Sequence, residues 1–554
     1  MRVDRMRDVR CRMDPTELTN QAEIERKFDV TYAAAVPDLR GVHGIASFGD
    51  PTTIRLSAAY LDTARLDLAR RQITLRRREG GADAGWHLKI THGTDERIEH
   101  RCPLSTSGSP PEALLDLVRG VVRDRPLHVV AHLRTNRTET PLLGRDGTVL
   151  ALLCDDVVDA ETPETPETPE TPDETSAETS GESEDLRKTD PPAPAPESSI
   201  RWREWEIELV DGDRPLLAAA ASVLLAAGAH PGASSSKLAH ALGTRLPPSR
   251  SAEVRGNPRT MSTADLLRER LVRQLLALEV EDRAFRAGQP TAVHQMRIAS
   301  RRLRSALATF APLLRDGTTV RHREDLQWLG LALGAARDAE VLHLRLRAEL
   351  ATLPLAEVVG PVAARIDRRL EQDYADGRRA ALEALTSPRY YRLLDDLEAF
   401  AHELPIGPSG SYRATETVPD LLQRDADRFT RAAKQAAHET DPASLATALH
   451  EARKKAKRLR YLAETAVPVY GARAKKVVTR AKRVQETLGV HQDAVVARER
   501  LVGLAAQAKA AGEDTSTYER LQALESTAAA QAEAAYDAVL PNLYRGVLRQ
   551  FSHR

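Results

Sequence analysis

The chain has 554 residues, 42% of them hydrophobic and 29% charged, which is enough for roughly two to four domains with cores of their own. Its 80 basic residues balance 80 acidic ones, so net charge by itself indicates no partner. The three cysteines show neither a metal-binding spacing nor a disulfide framework, which favours a reduced, cytoplasmic protein. No apolar run reaches the ~20 residues that span a bilayer, so we expect no membrane partner.

The predicted domains follow from changes in composition along the chain. Residues 1–19 form a loose, charged leader, and alternating strand patterns then fill residues 20–245. Residues 160–199 interrupt these patterns with acidic, proline-rich sequence, which predicts a disordered insertion inside the first domain. A linker at 246–260 precedes residues 261–554, where helical periodicity dominates. The sequence therefore predicts an α+β multidomain protein.

Charged side chains share one face in several predicted strands, because residues two apart in a strand point the same way. The first strand places Glu23, Glu25 and Lys27 on one face, with Ile24 and Phe28 on the other. Later strands group Arg76 with Arg78, His87 with Lys89, and Glu204 with Glu206 and Glu208. Apolar faces opposite charged faces of both signs indicate a closed antiparallel β-barrel around a wet, charged lumen. Arginine and lysine suit phosphate oxygens, and carboxylates suit Mg²⁺ or Mn²⁺.

An ExExK signature opens this domain, from Glu23 to Lys27, and is followed by YLDT at Tyr60–Thr63 and by the Glu-rich strand EWEIEL. In this order the motifs of residues 20–245 resemble the CYTH superfamily, the triphosphate tunnel metalloenzymes. The resemblance implies the triphosphate tunnel fold and metal-dependent hydrolysis of a triphosphate. It implies catalytic roles for Glu23, Glu25, Lys27 and Asp155, metal binding by Glu23, Glu25, Glu206 and Glu208, and substrate binding by Arg76, Arg78, Lys89, Arg137 and Lys237.

The helical half contains an internal duplication, with copies around residues 290–345 and 446–500. VHQMRIASRRLRSAL is echoed by LHEARKKAKRLRYLA at an offset of 450 − 294 = 156 residues. LGLALGAARDAEVL is echoed by VQETLGVHQDAVVA at an offset of 488 − 333 = 155 residues. Two motifs with nearly the same offset make chance similarity implausible, so we predict a duplicated all-α domain.

Each copy carries a histidine and three basic residues at helical spacing i, i+3, i+7 and i+10, which places them in one stripe. The first ridge is His294, Arg297, Arg301 and Arg304, and the second ridge is His450, Arg453, Lys457 and Arg460. Like charges gathered on one face repel each other, so two ridges in register indicate an anion-binding site. The pattern resembles the CHAD domain, which implies two pseudo-symmetric helical-bundle repeats and polyphosphate binding by the ridges.

From these features we expect hydrolysis of inorganic triphosphate or a related linear phosphate, with a helical domain that holds polyphosphate. A non-catalytic protein that docks on polyphosphate bodies and an adenylate cyclase of the class IV type are the alternatives left open. Nucleic acid is disfavoured as a partner, because aromatic residues make up only 4% of the chain and none interleaves the first ridge for base stacking.

Overall fold

The computed structural model describes residues 18–93, 95–104, 108–163, 198–248, 257 and 260–551. The chain separates into two compact units, Met1–Arg250 and Ser251–Arg554. Most of the predicted leader, acidic insertion and linker lies outside the described residues. Within the described part of the chain, no helix combines the length and apolar character needed to cross a bilayer.

The N-terminal unit is built on antiparallel strands that close into a barrel. In chain order the strands are β1 (Thr19–Val30), β2 (Ser47–Phe48), β3 (Thr52–Asp62), β4 (Ile73–Glu79), β5 (Gly85–His92), β6 (Glu96–Pro103), β7 (His128–Leu143), β8 (Val149–Thr162), β9 (Ser198–Leu209) and β10 (His230–Pro231). The barrel order is β1-β6-β5-β4-β3-β7-β8-β9, and β9 pairs again with β1. β1 achieves this closure by pairing its first half with β6 and its second half with β9.

Two helices cover the outside of the barrel, α1 (Glu112–Val122) and α2 (Arg214–Ala226). α1 buries Leu114 against Trp86 and Leu88 of β5, and α2 packs against Phe28 of β1 and Trp205 of β9. These apolar residues alternate with charged ones along each strand, as the period of two requires. The two clusters under α1 and α2 therefore lie outside the barrel, and the charged faces point into the lumen. The predicted antiparallel barrel is confirmed.

A third, short helix closes one end of the lumen. α3 (Lys237–Leu242) packs Leu238 and Leu242 into a cluster that contains Tyr60 and Val158. The side chain of Tyr60 faces inward, since its hydroxyl accepts a hydrogen bond from lumenal Arg76 at 3.2 Å. Ser236 caps α3 by accepting a hydrogen bond from the backbone N–H of Ala239, which starts the helix next to Lys237. α3 is thus an apolar plug whose first residue carries an ammonium group into the lumen.

The first and last residues of the predicted insertion belong to β-strands. β8 continues to Thr162 and β9 begins at Ser198, with Ala160 paired to Ile200 and Thr162 paired to Ser198. The prediction of disorder over 160–199 was therefore too wide at both ends, because backbone pairing extends the hairpin beyond the last apolar residues. Residues 164–197 lie outside the described residues.

The C-terminal unit is all helical, as predicted. Its helices are α4 (Thr263–Arg286), α5 (Ala292–Phe310), α6 (Val320–Ala332), α7 (Gly334–Leu350), α8 (Val362–Leu385), α9 (Pro388–His402), α10 (Ala414–Ala436), α11 (Pro442–Tyr470), α12 (Ala472–Ala510) and α13 (Ser516–Phe551). The break between α6 and α7 falls at Leu333-Gly334, whereas the matching Leu488-Gly489 lies inside the continuous α12.

Reciprocal backbone contacts reveal the pseudo-symmetry of the two copies. The N–H of Thr263 donates to the carbonyl of Tyr412, and the N–H of Ala414 donates to the carbonyl of Met261. The offset is 414 − 263 = 151 residues, and it relates the buried positions of α4 to those of α10. α5 and α11 then meet within one shared hydrophobic core, which includes Leu303 and its counterpart Leu459.

Candidate functional site

The lumen of the barrel gathers buried charges of both signs. Glu23, Glu25 and Lys27 face inward together from β1, as the alternation predicts, and Glu23 and Glu25 are buried. Each buried carboxylate has basic partners. Lys89 Nζ lies 2.6 Å from Glu23 Oε2, and Lys27 Nζ lies 3.1 Å from Glu25 Oε1. The lumen therefore holds ion pairs whose carboxylates are buried, where each charge interacts strongly with its neighbours.

Three carboxylates, those of Asp156, Glu204 and Glu206, form an acidic cluster. They are buried, and each offers an oxygen within 4.8 Å of the others. Lys237 Nζ lies among them, 2.9 Å from Asp156, 2.7 Å from Glu204 and 2.6 Å from Glu206. The three oxygen donors lie close enough together to hold a small cation, which would have to displace the Lys237 ammonium group from between them. A hard, all-oxygen donor set of this kind fits Mg²⁺ or Mn²⁺.

Arg137 and Lys27 border the acidic cluster. The Arg137 guanidinium donates to both carboxylate oxygens of Asp156 at 2.8 and 2.7 Å, and to Glu206 at 2.6 Å. Burial would raise the pKa of Asp156, but Lys237 and Arg137 hold that pKa well below its usual range. Burial, aided by the positive charge of Lys237, lowers the pKa of Lys27 to about 7. The carboxylate therefore stays ionised while the Lys27 ammonium is easily deprotonated.

A second cluster surrounds Glu99, which is fully buried. Its carboxylate lies 2.9 Å from His87 Nδ1, 3.4 Å from Lys89 Nζ and 3.7 Å from the Arg76 guanidinium. Burial would raise the pKa of Glu99, but Lys89, the His87 hydrogen bond and Arg76 bring it far below the usual range. Neither His87 nor Glu99 was among the predicted site residues. The alternation of Arg97, Glu99 and Arg101 along β6 was the sequence signal for this face.

The predicted substrate-binding residues line the same lumen. Arg137 and Lys237 contact the acidic cluster, Arg76 and Lys89 contact the Glu99 cluster, and Arg78 pairs with Asp83. Burial, with the nearby charge of Arg76, lowers the pKa of Arg78 to about 9. The five residues come from four separate elements, so closure of the barrel is what brings them together.

The predicted metal ligands do not all belong to the acidic cluster. Of the four predicted metal ligands, Glu206 belongs to the acidic cluster, whereas Glu23, Glu25 and Glu208 lie elsewhere along the inner faces of β1 and β9. Their charges still act on the lumen, as Glu208 raises the pKa of Glu23 in addition to the larger effect of burial.

Asp155 does not face the lumen, and its predicted catalytic role is wrong on this geometry. Its two carboxylate oxygens accept from Arg203 at 2.8 and 2.6 Å on the other face of β8. Asp156 is the lumenal residue because the register pairs it with Glu204, whereas Asp155 is paired with Trp205 of the outer core. The prediction was therefore displaced by one residue, and in a strand one residue reverses the face.

The two ridges of the helical unit are linked to the second repeated motif. Arg297 donates to the carbonyl of Gly334 at 3.0 Å and to Asp338 at 2.7 Å. In the second copy, a Cβ on Gly489 would lie 3.1 Å from Arg453 Nη2, so the absence of a side chain lets the guanidinium lie against α12. The His-x-x-Arg motifs of α5 and α11 thus dock on the Leu-Gly motifs at the start of α7 and within α12, which accounts for their joint repetition.

The ridges converge on a common region of positive charge. Burial, together with nearby Arg453 and Arg301, lowers the pKa of Lys457 to about 7. Arg301 belongs to the first ridge, so its effect on Lys457 places it near the second ridge, in agreement with the contact between α5 and α11. Burial and neighbouring basic residues also lower the pKa of His294 and of His450. Cations that suppress each other's protonation lack sufficient anionic partners, which is the electrostatic character of an anion site.

The last residues of the two ridges, Arg304 and Arg460, differ in their neighbours. Arg304 lies near the basic residues Arg323 and Arg301. Arg460 instead donates to Glu464 at 2.9 Å and to Gln485 at 3.1 Å. Its guanidinium is therefore already bound within the protein. The sequence contained this signal, because Glu464 follows Arg460 by four residues on the same helix.

Comparisons with known proteins agree with this architecture. A CYTH domain profile matches residues 21–187, and a CHAD domain profile matches residues 269–502. Two uncharacterized proteins from strains of Mycobacterium tuberculosis are each 39% identical over 530 residues, covering 95% of this chain and 97% of theirs.

Solved structures with similarity include the CHAD domain from the plant Ricinus communis, with 27% identity, a TM-score of 0.42 and coverage of 54% of this chain and 96% of that one. PptA from Streptomyces chartreusis is 22% identical with a TM-score of 0.42, covering 51% of this chain and 100% of that one. CYTH domains are members of the tunnel metalloenzyme superfamily, which includes triphosphatases and cyclases. By its domain profiles and its full-length relatives, the chain belongs to the family of proteins in which a CYTH domain is followed by a CHAD domain.

Proposed function

We propose that the barrel hydrolyses inorganic triphosphate or a related linear phosphate in a reaction that depends on Mg²⁺ or Mn²⁺. One observation carries the proposal: the plugged lumen brings a cluster of three buried carboxylates within hydrogen-bonding distance of Arg137 and Lys237. A triphosphate needs both kinds of group, since its oxygens require cations and its metal ions require carboxylates.

The basic side chains would bind and orient the phosphate chain. Arginines such as Arg76 and Arg137 present two parallel N–H groups to a phosphate, whereas Lys27, Lys89 and Lys237 act as point charges. Their distribution around the barrel wall encloses a linear substrate from several sides. These donors are paired with lumenal carboxylates, so binding of a phosphate and a metal ion would exchange those partners, after which the donors would stabilise the charge of the transferring phosphoryl group.

Asp156, Glu204 and Glu206 would hold the metal ion. A bound divalent ion neutralises phosphate oxygens and lowers the pKa of a bound water. The protein positions these carboxylates rigidly, since Arg137 fixes Asp156 through two hydrogen bonds and the Trp202 indole donates to Glu204 at 2.6 Å. Such second contacts keep metal ligands oriented.

The helical unit would bind polyphosphate between its two ridges. The supporting observation is that Arg301 of the first copy lies close enough to Arg453 and Lys457 of the second copy to add to the effect of burial in lowering their pKa values. A chain of phosphates supplies the missing negative charge, and release of counterions favours its binding at low salt. This unit would retain or recruit polyphosphate, a longer linear phosphate of the same chemical class as the substrate proposed for the barrel.

A phosphate-release assay with triphosphate, ATP, thiamine triphosphate and long polyphosphate, each with Mg²⁺ and with Mn²⁺, tests the proposal. We expect turnover of at least one linear phosphate, and we expect Glu25→Gln or Lys27→Ala to reduce it strongly. Undiminished turnover in both variants would overturn the site assignment. Cyclic AMP formed from ATP would identify a cyclase, and polyphosphate binding without any turnover would identify a non-catalytic protein.

A further inference from the structure

The helical unit contains a second concentration of arginine, away from the Gly334 and Gly489 ends of the ridges. Three guanidinium groups converge on the carboxylate of Glu464. Their distances to it are 3.3 Å for Arg270, 3.1 Å for Arg302 and 2.9 Å for Arg460. One carboxylate cannot neutralise three guanidinium groups, so this cluster retains excess positive charge in a partly buried setting. We call it the Glu464 pocket.

The Glu464 pocket opens into a cavity of about 520 Å³. Among the described residues that line the cavity, four are basic and one is acidic, namely Arg270, Arg273, Arg302 and Lys475 against Glu464. Arg273 is also paired with Glu269. The remaining lining is neutral, and Thr479 adds a hydroxyl group. The cavity therefore presents several donors and little compensating negative charge.

Buried donors in this pocket lack partners. Arg270 is only 6% exposed, and its Nε is buried without a hydrogen bond. The Nε of Arg302 is in the same state. A buried N–H without an acceptor costs about 1–3 kcal/mol, so native structures seldom retain one without a reason. An acceptor-rich ligand in the cavity would provide that reason.

The second copy arranges the corresponding position differently. Arg458, the counterpart of Arg302, lies 3.0 Å from the buried carboxylate of Asp425, which Arg428 also contacts at 2.8 Å. By the offset of 151 residues between α4 and α10, Asp425 corresponds to Gln274 and the buried Leu421 corresponds to Arg270. At these two buried positions the first copy has a glutamine and an arginine, where the second copy has an aspartate and a leucine.

Packing of α4 does not require an arginine at position 270, because α10 fills the corresponding buried position with Leu421. We propose that the Glu464 pocket binds a phosphate oxyanion, either free orthophosphate or phosphate groups of a polyphosphate chain. The guanidinium groups of Arg270 and Arg302 donate to it, Lys475 closes the rim, and the Glu464 carboxylate is the internal anion with which it competes. This site goes beyond the proposed function and stands whether or not the ridges bind polyphosphate.

The test is protection of lysines from acetylation in the full-length chain, read by mass spectrometry. Lys475 is exposed at the rim of the pocket, and exposed Lys509 near the end of α12 is the matched control. Orthophosphate, pyrophosphate and polyphosphate are the probes. We expect protection of Lys475 and none of Lys509. Protection by orthophosphate identifies a site for a single phosphate, and protection by polyphosphate alone identifies a site for a chain. No protection by any probe overturns the proposal.

Two variants change the pocket in opposite directions. Arg270→Leu with Gln274→Asp installs the residues of the second copy, and we expect Lys475 to lose its protection. Glu464→Gln removes the competing carboxylate, and we expect the half-protecting phosphate concentration to fall roughly tenfold, since the competing contact is a charge-assisted hydrogen bond. Unchanged protection in both variants contradicts the proposal. Protection of Lys457 from acetylation reports separately on anion binding at the ridges. If Lys457 is not protected, polyphosphate binding by the ridges is contradicted, and the proposal for the Glu464 pocket is not.

Discussion

The substitution Asp156→Asn removes one negative charge from the acidic cluster and hardly changes the shape of the side chain. The Asp156 side chain is fully buried, and it accepts from Arg137 at 2.8 and 2.7 Å and lies 2.9 Å from Lys237. Removal of one partner from a buried ion pair costs about 3–5 kcal/mol, and the retained amide oxygen places this change near the lower end. For a unit of this size, about 3 kcal/mol lowers Tm by roughly 6–12 °C.

The neighbouring Asp155→Asn is the matched control. Asp155 pairs with Arg203 on the outer face, and that guanidinium also donates to the carbonyls of Tyr32 and Ala34. Arg203 therefore keeps partners when Asp155 is neutralised, and we expect a loss of only about 1 kcal/mol.

Thermal unfolding with and without Mn²⁺ measures both effects. An ion that binds only the folded state raises Tm, so the wild-type protein and the Asp155→Asn variant should both gain stability on addition of Mn²⁺. Asp156→Asn should start lower and gain much less, because one of three carboxylate ligands is missing. Equal Tm values and equal Mn²⁺ responses in the two variants would refute the assignment of Asp156 to the lumen and to the metal site.

The helical unit gives further predictions. His450→Ala with Arg453→Ala should weaken polyphosphate binding and flatten its dependence on salt by about one unit of log–log slope, measured by titration at several salt concentrations. Because the pKa of Lys457 is about 7 when folded and 10.5 ordinarily, the unfolded chain binds the extra proton between these values. Stability should therefore rise with pH from 7 to 10.5, by up to about 1.4 kcal/mol per unit from this group, and Lys457→Met should reduce the rise by this contribution in denaturant titrations. Gly489→Ala should displace the Arg453 guanidinium and weaken polyphosphate binding while Tm does not fall, since helix propensity gains about 1 kcal/mol.

The alternation of apolar and charged residues predicted most of the side chains that face the lumen, because the sequence of a single strand shows which residues share a face. Glu23, Glu25 and Lys27 all face inward, as expected from residues two apart. The failure at β8 has a clear cause: two adjacent aspartates, Asp155 and Asp156, satisfy either phase of the alternation equally well. The register with β9 decides between them, and register is a property of two strands rather than one.

The sequence predicted the two ridges of the helical unit but not the contacts that join them to neighbouring helices. The repeated spacing identified both ridges, whereas the docking of Arg297 on Gly334 depends on contact between two helices. The constant offset of about 155 residues also fails for α4 and α10, where the offset is 151 because the intervening connections differ in length. The correspondence of Gln274 with Asp425 therefore required the structure.

The most direct test of the central claim is release of phosphate from inorganic triphosphate by the full-length chain, measured with Mg²⁺ or Mn²⁺ and again after chelation. The account predicts release that requires the metal, is lost in Glu206→Gln and persists in Asp155→Asn. Release that continues unchanged in Glu206→Gln, or no release from any linear phosphate with either metal, would contradict it.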